Sequence, residues 1–377
     1  MRVEAVSEPV MGRARVRLVD GAGGEVGEVT AFLCLLTARD YSPNTVRAYA
    51  YDLLKLYSFL GESRLEVGDF TPARAIEFLK WLRVSPVRGN AQQLSLSVAA
   101  ADGRLLSART CNRIFAAVSS FYEFLISSGG FGGAENPIVK VPDREAARVA
   151  ERRRPPLLTS ARQRPVRRAL RVRTVEVVPR VIPPETYELI LAQLKTLRDR
   201  AMLELMNEGG LRPGEVLGLH LEDVAYGRRR VAICHRSDHP RGVRQKSRHD
   251  RVVDLLEDRA LPLLNSYVMS ERPREADSEL IFLIGGTGPR RGDPLSYDGL
   301  VRMFTRACQR AGVRQPWLTP HSLRHTHATR MFEGGMRDLT LMKRLGHASP
   351  DSTRIYTRVA DREVVADYVK AVGASTR

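Results

Sequence analysis

The stretch TPHSLRHTHATRMF (319–332) places three histidines and two arginines on a segment whose apolar spacing is that of a buried helix. Charged and titratable side chains seldom lie inside an apolar helix unless a partner compensates them. Three kinds of partner fit such a segment: a metal ion, an acidic group of the protein itself, or a ligand that carries negative charge. The identity of that partner decides what kind of protein this is.

A zinc site is the first alternative, because His321 and His325 are four residues apart and that spacing can hold zinc on a helix. Residue 322 is serine where a zinc protease carries glutamate, and no acidic third ligand lies nearby in the sequence. We therefore expect no metal site and no cofactor, and we interpret His325 and His327 as structural residues or as residues that face a negatively charged ligand. A metal-dependent hydrolase built around the histidines stays as an alternative, and loss of activity in EDTA would be its signature.

The charge of the chain favours a polyanionic partner. Its 377 residues give room for two ordinary domains, and the formal net charge is +17. DNA, RNA and anionic membrane surfaces all attract such a protein. Only seven of the 60 basic residues are lysine, and an arginine bias of this kind can come from genome composition alone. Charge therefore favours a nucleic acid without identifying it.

Cysteine spacing and hydropathy indicate a cytoplasmic protein. The four cysteines lie far apart with no CxxC pair, which is typical of reduced thiols. The N-terminus lacks the apolar core of a signal peptide, and no run approaches the roughly 20 apolar residues of a membrane span. We expect neither secretion nor insertion into a membrane.

Apolar periodicity predicts an all-helical first domain over residues 28–130. The signature is a 3.6-residue period, with Ser-Pro or Thr-Pro at two of the helix starts. Helices are predicted at 29–40, 42–60, 71–83 and 107–129. Residues 1–27 are rich in glycine and charge, so we expect them to form a loose arm or a short strand pair. Residues 85–106 have the composition of a polar insertion.

An arginine- and proline-rich stretch over 131–180 separates this domain from a second one at 181–377. Its composition is that of a solvated linker, and a basic strap along a phosphate backbone is compatible with the same residues. The second domain combines helices with a predicted β-hairpin and a short strand. The hairpin is predicted at 228–237 and 250–256, the strand at 280–285, and the main helices at 183–194, 197–209, 296–312 and 319–332. The predicted fold class is mainly α, with an all-helical N-terminal domain and an α+β second domain that contains a small antiparallel sheet.

Charged and titratable residues of the second domain form an ordered series along the chain. The series is Arg212, Glu215, Lys246, His321, Arg324, His347 and Tyr356. Its members lie in the motifs GGLRPGEVLGL (209–219), KSRHDRVVDL (246–255), HSLRHTHAT (321–329), LGH (345–347) and IYTRV (355–359). In this order they resemble the catalytic domain of the tyrosine recombinases, the phage-integrase family that includes Xer and Cre. The resemblance implies that the helical first domain is a core-binding, SAM-like DNA-binding domain.

Cleavage of a phosphodiester needs residues of these types. The phosphate is negatively charged and gains charge in the transition state, so in the absence of a metal fixed cations must hold its non-bridging oxygens. Planar guanidinium groups do this best, and Arg212 and Arg324 are the candidates. His321 and His347 are candidates for additional hydrogen bonds to the same oxygens.

The nucleophile of the series is Tyr356, because positive surroundings stabilise a phenolate. Its attack would leave a 3′-phosphotyrosyl link and a 5′-hydroxyl. Lys246 can give the departing alkoxide a proton, which an arginine practically cannot. Glu215 would orient Arg212 or its neighbours. Because the energy of the broken bond stays in the phosphotyrosine, rejoining needs neither ATP nor a metal.

Each residue also has an ordinary structural interpretation. A tyrosine in a C-terminal helix usually packs, Arg212 can be an ion-pair partner at a helix cap, and Lys246 can be a solvated hairpin charge. His347 can cap the end of its helix, and Glu215 can complement a helix dipole. Each of these explanations accounts well for a single residue. Together they account poorly for the whole set, since all the residues occur in family order and spacing.

The resemblance implies a site-specific DNA recombinase, and regions outside the motifs favour the integrase or transposase of a mobile element. The N-terminal arm, the 85–106 insertion, the basic linker and the long hairpin all exceed the layout of a compact Xer enzyme. One alternative is an Xer-type recombinase that resolves chromosome or plasmid dimers. Another is a non-catalytic DNA-binding protein of the same fold.

The resemblance also implies the partners. They are double-stranded DNA with an inverted-repeat recombination site, and three further copies of the chain in a homo-tetramer that works through a Holliday junction. Accessory DNA-bending proteins are compatible with this reaction, and the nucleoid is the expected location in the cell. Residues 361–377 form an amphipathic tail, which in this family commonly contacts a neighbouring protomer.

Overall fold

A computed structural model describes residues 1–7, 14–85, 105–133, 135–143, 166–174, 180–236, 239–243 and 250–346. These residues divide into two compact units, the first extending to residue 174 and the second beginning at residue 180. Each unit has a hydrophobic core of its own. The described residues form a mainly α fold with small antiparallel sheets, as predicted.

Four α-helices form the described body of the first unit, each close to its predicted position. They are α1 (Gly27–Ala38), α2 (Pro43–Ser63), α3 (Pro72–Val84) and α4 (Ala108–Ser127). Ser42, Thr71 and Ser107 precede the last three, and each hydroxyl accepts a hydrogen bond from the backbone N–H three residues later. A cap of this kind stabilises a helix by about 1 kcal/mol, so the local sequence defines these starts.

Aromatic side chains fill the core of the first unit. Phe70, Phe78 and Tyr122 are completely buried, and the Phe70 and Tyr122 rings stack with 5.4 Å between centroids. Asp52 of α2 is also buried, with 2% of its surface exposed, and its carboxylate accepts a 2.6 Å hydrogen bond from Arg113 of α4. This ion pair joins α2 to α4.

The N-terminal residues form a strand pair, one of the two expected alternatives. Strand β1 (Arg2–Ser7) pairs antiparallel with β2 (Ala14–Val19). Leu18 of β2 is completely buried in the core of the helical unit. The pair is therefore part of the first unit, because burying Leu18 ties it to the helices.

Both described ends of the expected linker also pack on the first unit. Strand β3 (Lys140–Pro142) pairs with β4 (Val166–Arg168). Beyond β4, the Asn112 side chain donates to the Val172 carbonyl at 2.9 Å and accepts the Val172 N–H at 2.8 Å. Composition alone predicted a solvated linker here, but an amide that matches a backbone donor and acceptor fixes this segment. Most of the predicted 85–106 insertion lies outside the described residues.

The described part of the second unit consists of seven α-helices and a three-stranded sheet. The helices are α5 (Pro184–Ala192), α6 (Leu197–Glu208), α7 (Pro213–Leu217), α8 (Ala260–Ser270), α9 (Tyr297–Arg310), α10 (Pro320–Glu333) and α11 (Asp338–Leu345). The antiparallel strands are β5 (Val224–Ala225), β6 (Arg230–Ile233) and β7 (Arg251–Asp254). The β6–β7 pairing confirms the predicted hairpin. None of the described helices is long and apolar enough to cross a bilayer.

Helix α6 lies at the centre of this unit, and every residue from Ala201 to Glu208 is buried. It packs against α8 and α10. The strand predicted at 280–285 is wrong in detail, because this extended segment forms only isolated bridges through Leu280 and Leu283. The central position of α6 fixes the start of α7 and the first half of α10, which carry the candidate site.

Candidate active site

The candidate site begins at a glycine turn between α6 and α7. Gly210 has a φ of +63°, and a Cβ at this position would lie 2.4 Å from Cδ2 of His327. Both the left-handed backbone and the close histidine therefore require glycine. The turn places Arg212 immediately before α7, with Pro213 as the first helical residue, as predicted.

Glu215 of α7 is the centre of the site. Its side chain is completely buried, and its carboxylate accepts a 2.8 Å hydrogen bond from the Arg212 backbone N–H and a 2.7 Å bond from the Arg212 guanidinium. Arg251 of β7 donates two more, at 3.0 and 2.7 Å. The Arg324 guanidinium of α10 lies 3.8 Å away. One buried carboxylate thus gathers three guanidinium groups from three separate elements.

These arginines keep Glu215 ionised. Burial alone raises the pKa of this carboxyl, but the hydrogen bonds and charge of Arg251 and the charges of Arg324 and Arg212 outweigh burial and hold the pKa at about 2. Three guanidinium groups around one carboxylate leave a net local charge of about +2. The cluster is therefore positive at every physiological pH.

The same three arginines bind the C-terminal end of α11. Arg212 donates to the carbonyls of Leu345 and Gly346 at 3.3 and 3.2 Å, and Arg324 donates to Leu345 at 2.5 Å. The Nε of Arg251 donates to the carbonyl of residue 344 at 2.8 Å. The last carbonyls of a helix lack helical partners and form its negative end, so these contacts fix where α11 stops.

Arg324 also reaches the glycine turn. Its Nη1 donates to the Gly210 carbonyl at 2.7 Å, and its side chain is 4% exposed. Arg212 is more accessible, with 17% of its side chain exposed. Arg212 and Arg324 therefore share Glu215 and the Leu345 carbonyl as partners, and Arg212 is the more exposed of the two.

The histidines of α10 have different environments. His321 lies in the first turn of the helix and is half-buried, one turn before Arg324. His325 is half-buried, and burial together with the charge of Arg324 lowers its pKa. Both histidines have polar or electrostatic partners. The role of His321 at the phosphate stays a prediction.

His327 is a structural residue, one of the two interpretations predicted for it. It is completely buried, its Nδ1 lies 3.0 Å from the Asn207 carbonyl, and its Nε2 accepts a 3.1 Å hydrogen bond from Nε of Arg344. Since Nε2 accepts, the proton is on Nδ1. Burial and the charge of Arg344 lower its pKa to about 3, so this histidine is neutral.

The structure brings together three of the seven predicted site residues, Arg212, Glu215 and Arg324, and it places His321 one helical turn before Arg324 on α10. Lys246, His347 and Tyr356 lie outside the described residues. Described residues adjoin two of these three in the sequence. Gly346 directly precedes His347, and strands β6 and β7 flank the segment that contains Lys246.

Arg251 is a site residue that the sequence reasoning did not select. On β7 it occupies the same face as the completely buried Val253, and its own side chain is 6% exposed. A charged residue at an inward position of a strand requires a partner, and that was the signal available in the sequence. The partner is Glu215, 36 residues away, which no local pattern identifies.

The chemical capacity of this arrangement is anion binding. Adjacent guanidinium groups with a surplus of positive charge favour an anion with two or more oxygens, such as a phosphate. Among the residues that the structure describes, no group of three or more His, Cys, Asp or Glu side chains has the placement of a metal site.

Comparison with family models and comparison with individual known proteins both indicate the same family. Residues 180–363 match the phage integrase family, and residues 29–129 match the phage integrase N-terminal SAM-like domain. Transposase A from transposon Tn554 of Staphylococcus aureus is 28% identical and covers 91% of this chain and 90% of its own. Tyrosine recombinase XerC of Chlorobaculum parvum is 29% identical, over 89% of this chain and 91% of its own.

Solved structures share the fold at lower identity. The Tn1549 transposon integrase in complex with transposon right end DNA aligns with a TM-score of 0.59 at 15% identity, over 92% of this chain and 99% of its own. The XerH recombinase bound to its difH substrate aligns with a TM-score of 0.58 at 17% identity, over 92% and 84%. At these identities the likeness concerns the fold.

Proposed function

The chain belongs to the phage integrase family and is a tyrosine site-specific recombinase, and we propose that it cuts and rejoins DNA at the cluster centred on Glu215. The observation that carries the proposal is the meeting of Arg212 and Arg324 at one buried carboxylate, with a surplus of positive charge. Double-stranded DNA is the substrate, and the scissile phosphate is the anion that these arginines hold.

Arg212 and Arg324 bind the non-bridging oxygens of the scissile phosphate, and His321 and His347 add hydrogen bonds. Donors that are fixed before the reaction stabilise developing charge without reorganisation, and each contributes on the order of 100-fold in rate. Glu215 holds Arg212 in place through its 2.7 Å contact. The carbonyls of Leu345 and Gly346, the two residues before His347 in the sequence, hold both arginines at the end of α11.

Tyr356 attacks the phosphorus, and the bond to the 5′ oxygen breaks. The phosphate remains attached to the tyrosine through the 3′ side of the DNA, and Lys246 protonates the departing 5′ oxygen. Rejoining is the reverse reaction with a 5′-hydroxyl from a partner duplex. Because one phosphate ester replaces another at each step, no ATP is consumed.

Strand exchange between two duplexes requires four copies of the chain, each cutting one strand. We propose a homo-tetramer on paired inverted repeats, with a Holliday junction as the intermediate and the nucleoid as the location. The amphipathic tail at 361–377 is the segment we assign to contacts between protomers.

The biological role that we favour is integration or transposition of a mobile element. It is supported by the similarity to the Tn554 transposase over nine-tenths of both chains. The comparable similarity to XerC supports resolution of chromosome or plasmid dimers as the second candidate. Recombination of inverted repeats from an element that carries the gene, compared with repeats from a chromosomal dimer site, separates these roles.

The test of the chemistry uses a DNA substrate with a nick beside the cleavage site, so that the cut strand diffuses away and the covalent complex accumulates. Wild-type protein should form an adduct that survives denaturing electrophoresis, in EDTA as well as in magnesium. Tyr356→Phe should bind the same DNA and form no adduct. Tyr226→Phe, which changes a half-exposed tyrosine of the same unit, is the matched control and should behave as wild type.

DNA binding without any adduct from the wild-type protein, across the inverted repeats of its own element, would instead indicate a non-catalytic DNA-binding protein. Loss of activity in EDTA would indicate a metal-dependent hydrolase.

A further inference from the structure

We propose that Arg251 is a positioning residue of the recombination reaction. Arg251 compensates the negative charge of Glu215, so that the positive charges of Arg212 and Arg324 act on the scissile phosphate. The inference rests on the function proposed above. It concerns a residue of β7 that lies five positions after Lys246, within the motif KSRHDRVVDL (246–255) but outside the set of predicted site residues.

The contact between Arg251 and Glu215 is bidentate. Nη1 and Nη2 of Arg251 donate to the two carboxylate oxygens at 3.0 and 2.7 Å, and the two side chains are 6% and 0% exposed. Parallel N–H···O bonds of this kind are the strongest geometry available to a carboxylate. Arg212 makes a single side-chain contact with the same carboxylate, and Arg324 is 3.8 Å away. Arg251 is therefore the principal counter-charge of Glu215.

The charges show why this matters for catalysis. A phosphodiester brings one negative charge and the attacking phenolate a second, so the transition state carries about two. Arg212, Arg251 and Arg324 together with Glu215 supply a net charge of about +2. Without Arg251 the net charge falls to about +1, and the Glu215 carboxylate interacts more strongly with Arg212 and Arg324. Those two arginines would then be held by Glu215 instead of the phosphate.

Arg251 also fixes the end of α11. Its Nε donates to the carbonyl of Arg344, and a Cβ at Gly346 would lie 2.8 Å from Nη1 of Arg251. Gly346 has a φ of +63°, so the chain turns left-handed around this guanidinium immediately before His347. One side chain thus connects β7, on the hairpin that carries Lys246, with the residue that precedes His347.

The experiment compares Arg251→Gln, Arg251→Lys and Arg251→Gln/Glu215→Gln with wild type, using single-turnover cleavage of the nicked substrate. Arg251→Gln should cleave on the order of 100-fold more slowly, the cost of losing one charge-stabilising group, with the Kd for DNA within about threefold of wild type. Arg251→Lys should cleave about tenfold faster than Arg251→Gln, because lysine restores the charge without the two parallel bonds. Thermal unfolding verifies that each variant is folded.

The pH profile separates neutralisation from simple support of the fold. In Arg251→Gln, Glu215 has lost its strongest partner, so its pKa is higher than in wild type. Protonation at lower pH then removes the carboxylate charge that competes with the phosphate for Arg212 and Arg324. The ratio of the Arg251→Gln rate to the wild-type rate should therefore rise as the pH falls from 7 to 5. Taking the ratio cancels histidine titrations common to both proteins. The double variant has no carboxylate, so its ratio should be flat.

Arg230→Gln is the matched control, since Arg230 forms an exposed ion pair with Asp254 within the same sheet and should leave cleavage unchanged. An Arg251→Gln rate within twofold of wild type, or a ratio that does not change with pH, would overturn the inference and leave the proposed function intact. A wild-type protein that forms no adduct would overturn both. If Arg251→Gln does not fold, the Arg251→Lys rate decides: a loss of about tenfold supports the inference, and a rate within twofold of wild type overturns it.

Discussion

Two buried carboxylates, one in each unit, show how the number of cations around a group decides its charge. Asp52 of the first unit and Glu215 of the second are 2% and 0% exposed. Asp52 has one partner, Arg113, whose side chain is half exposed, and burial outweighs this partner and raises the pKa of Asp52 to about 7. Glu215 has three guanidinium groups around it, and its pKa is about 2.

The two carboxyls therefore respond differently to pH. A carboxyl that titrates near neutral pH makes the α2–α4 contact of the first unit depend on pH. A carboxylate that never titrates keeps the charge of the arginine cluster constant. Burial is similar at both sites, so the guanidinium groups, and Arg251 above all, account for the opposite directions of the two pKa shifts.

The largest effect should come from removing the carboxylate of the second unit. Glu215→Gln leaves three buried or half-buried guanidinium groups without their counter-charge, and loss of one partner of a buried ion pair costs about 3–5 kcal/mol. Urea unfolding at pH 7 measures the loss. Glu222→Gln removes an exposed carboxylate paired with Arg236 and should cost under about 1 kcal/mol. Equal losses in the two variants would mean that the cluster is not the stabilising centre described above.

The second-largest effect should come from a change in the glycine turn that places Arg212 beside Glu215. Gly210→Ala introduces a Cβ into a left-handed backbone position and against His327, which together cost roughly 2–4 kcal/mol. Gly227→Ala is the matched control, because its Cβ would meet nothing within 4 Å. We expect Gly210→Ala to lower the unfolding midpoint and to slow cleavage. An alanine tolerated at 210 would show that the turn is less constrained than its geometry indicates.

The smallest effect concerns Asp52 and depends on pH. The folded protein retains a proton on Asp52 up to a pKa of about 7, whereas the unfolded chain releases it near its usual value of about 4. The stability that this proton contributes is complete below pH 4 and is lost as the pH rises through 7. Relative to wild type, Asp52→Asn, which resembles the protonated form, should therefore gain roughly 2 kcal/mol of stability between pH 5.5 and pH 8.

Urea unfolding across that range measures this difference. Asp40→Asn, at an exposed turn of the same unit, is the matched control for the Asp-to-Asn change. Parallel stability curves for Asp52→Asn and wild type would contradict the single-cation explanation of Asp52.

Where the signals were local, the sequence predicted the fold well. The starts of α2, α3 and α4 were correct because Ser42, Thr71 and Ser107 cap them from the adjacent residue. Helix α8 was missed because its cap is distant. The Glu208 carboxylate on α6 accepts the backbone N–H groups of Glu257 and Ala260, and this contact joins residues about 50 positions apart.

The site divides in the same way. Arg212, His321 and Arg324 were selected as candidates because their motifs are contiguous stretches with recognisable spacing, and the structure places Arg212 and Arg324 around Glu215. Arg251 and Arg344 were not found, because their roles come from partners on other elements, Glu215 and His327. The sequence patterns thus identified the candidate reacting groups and Glu215, whereas the roles of Arg251 and Arg344 are defined by packing.

The most direct measurement is peptide mapping of the trapped protein–DNA complex by mass spectrometry, after the DNA has been digested to a short remnant. We predict a nucleotide linked through its 3′ phosphate to the phenol oxygen of Tyr356, and a rate of adduct formation that falls on the order of 100-fold in Arg212→Gln and in Arg324→Gln. A remnant attached to another residue, or linked through a 5′ phosphate, would contradict the assignment of the arginine cluster around Glu215 to this chemistry.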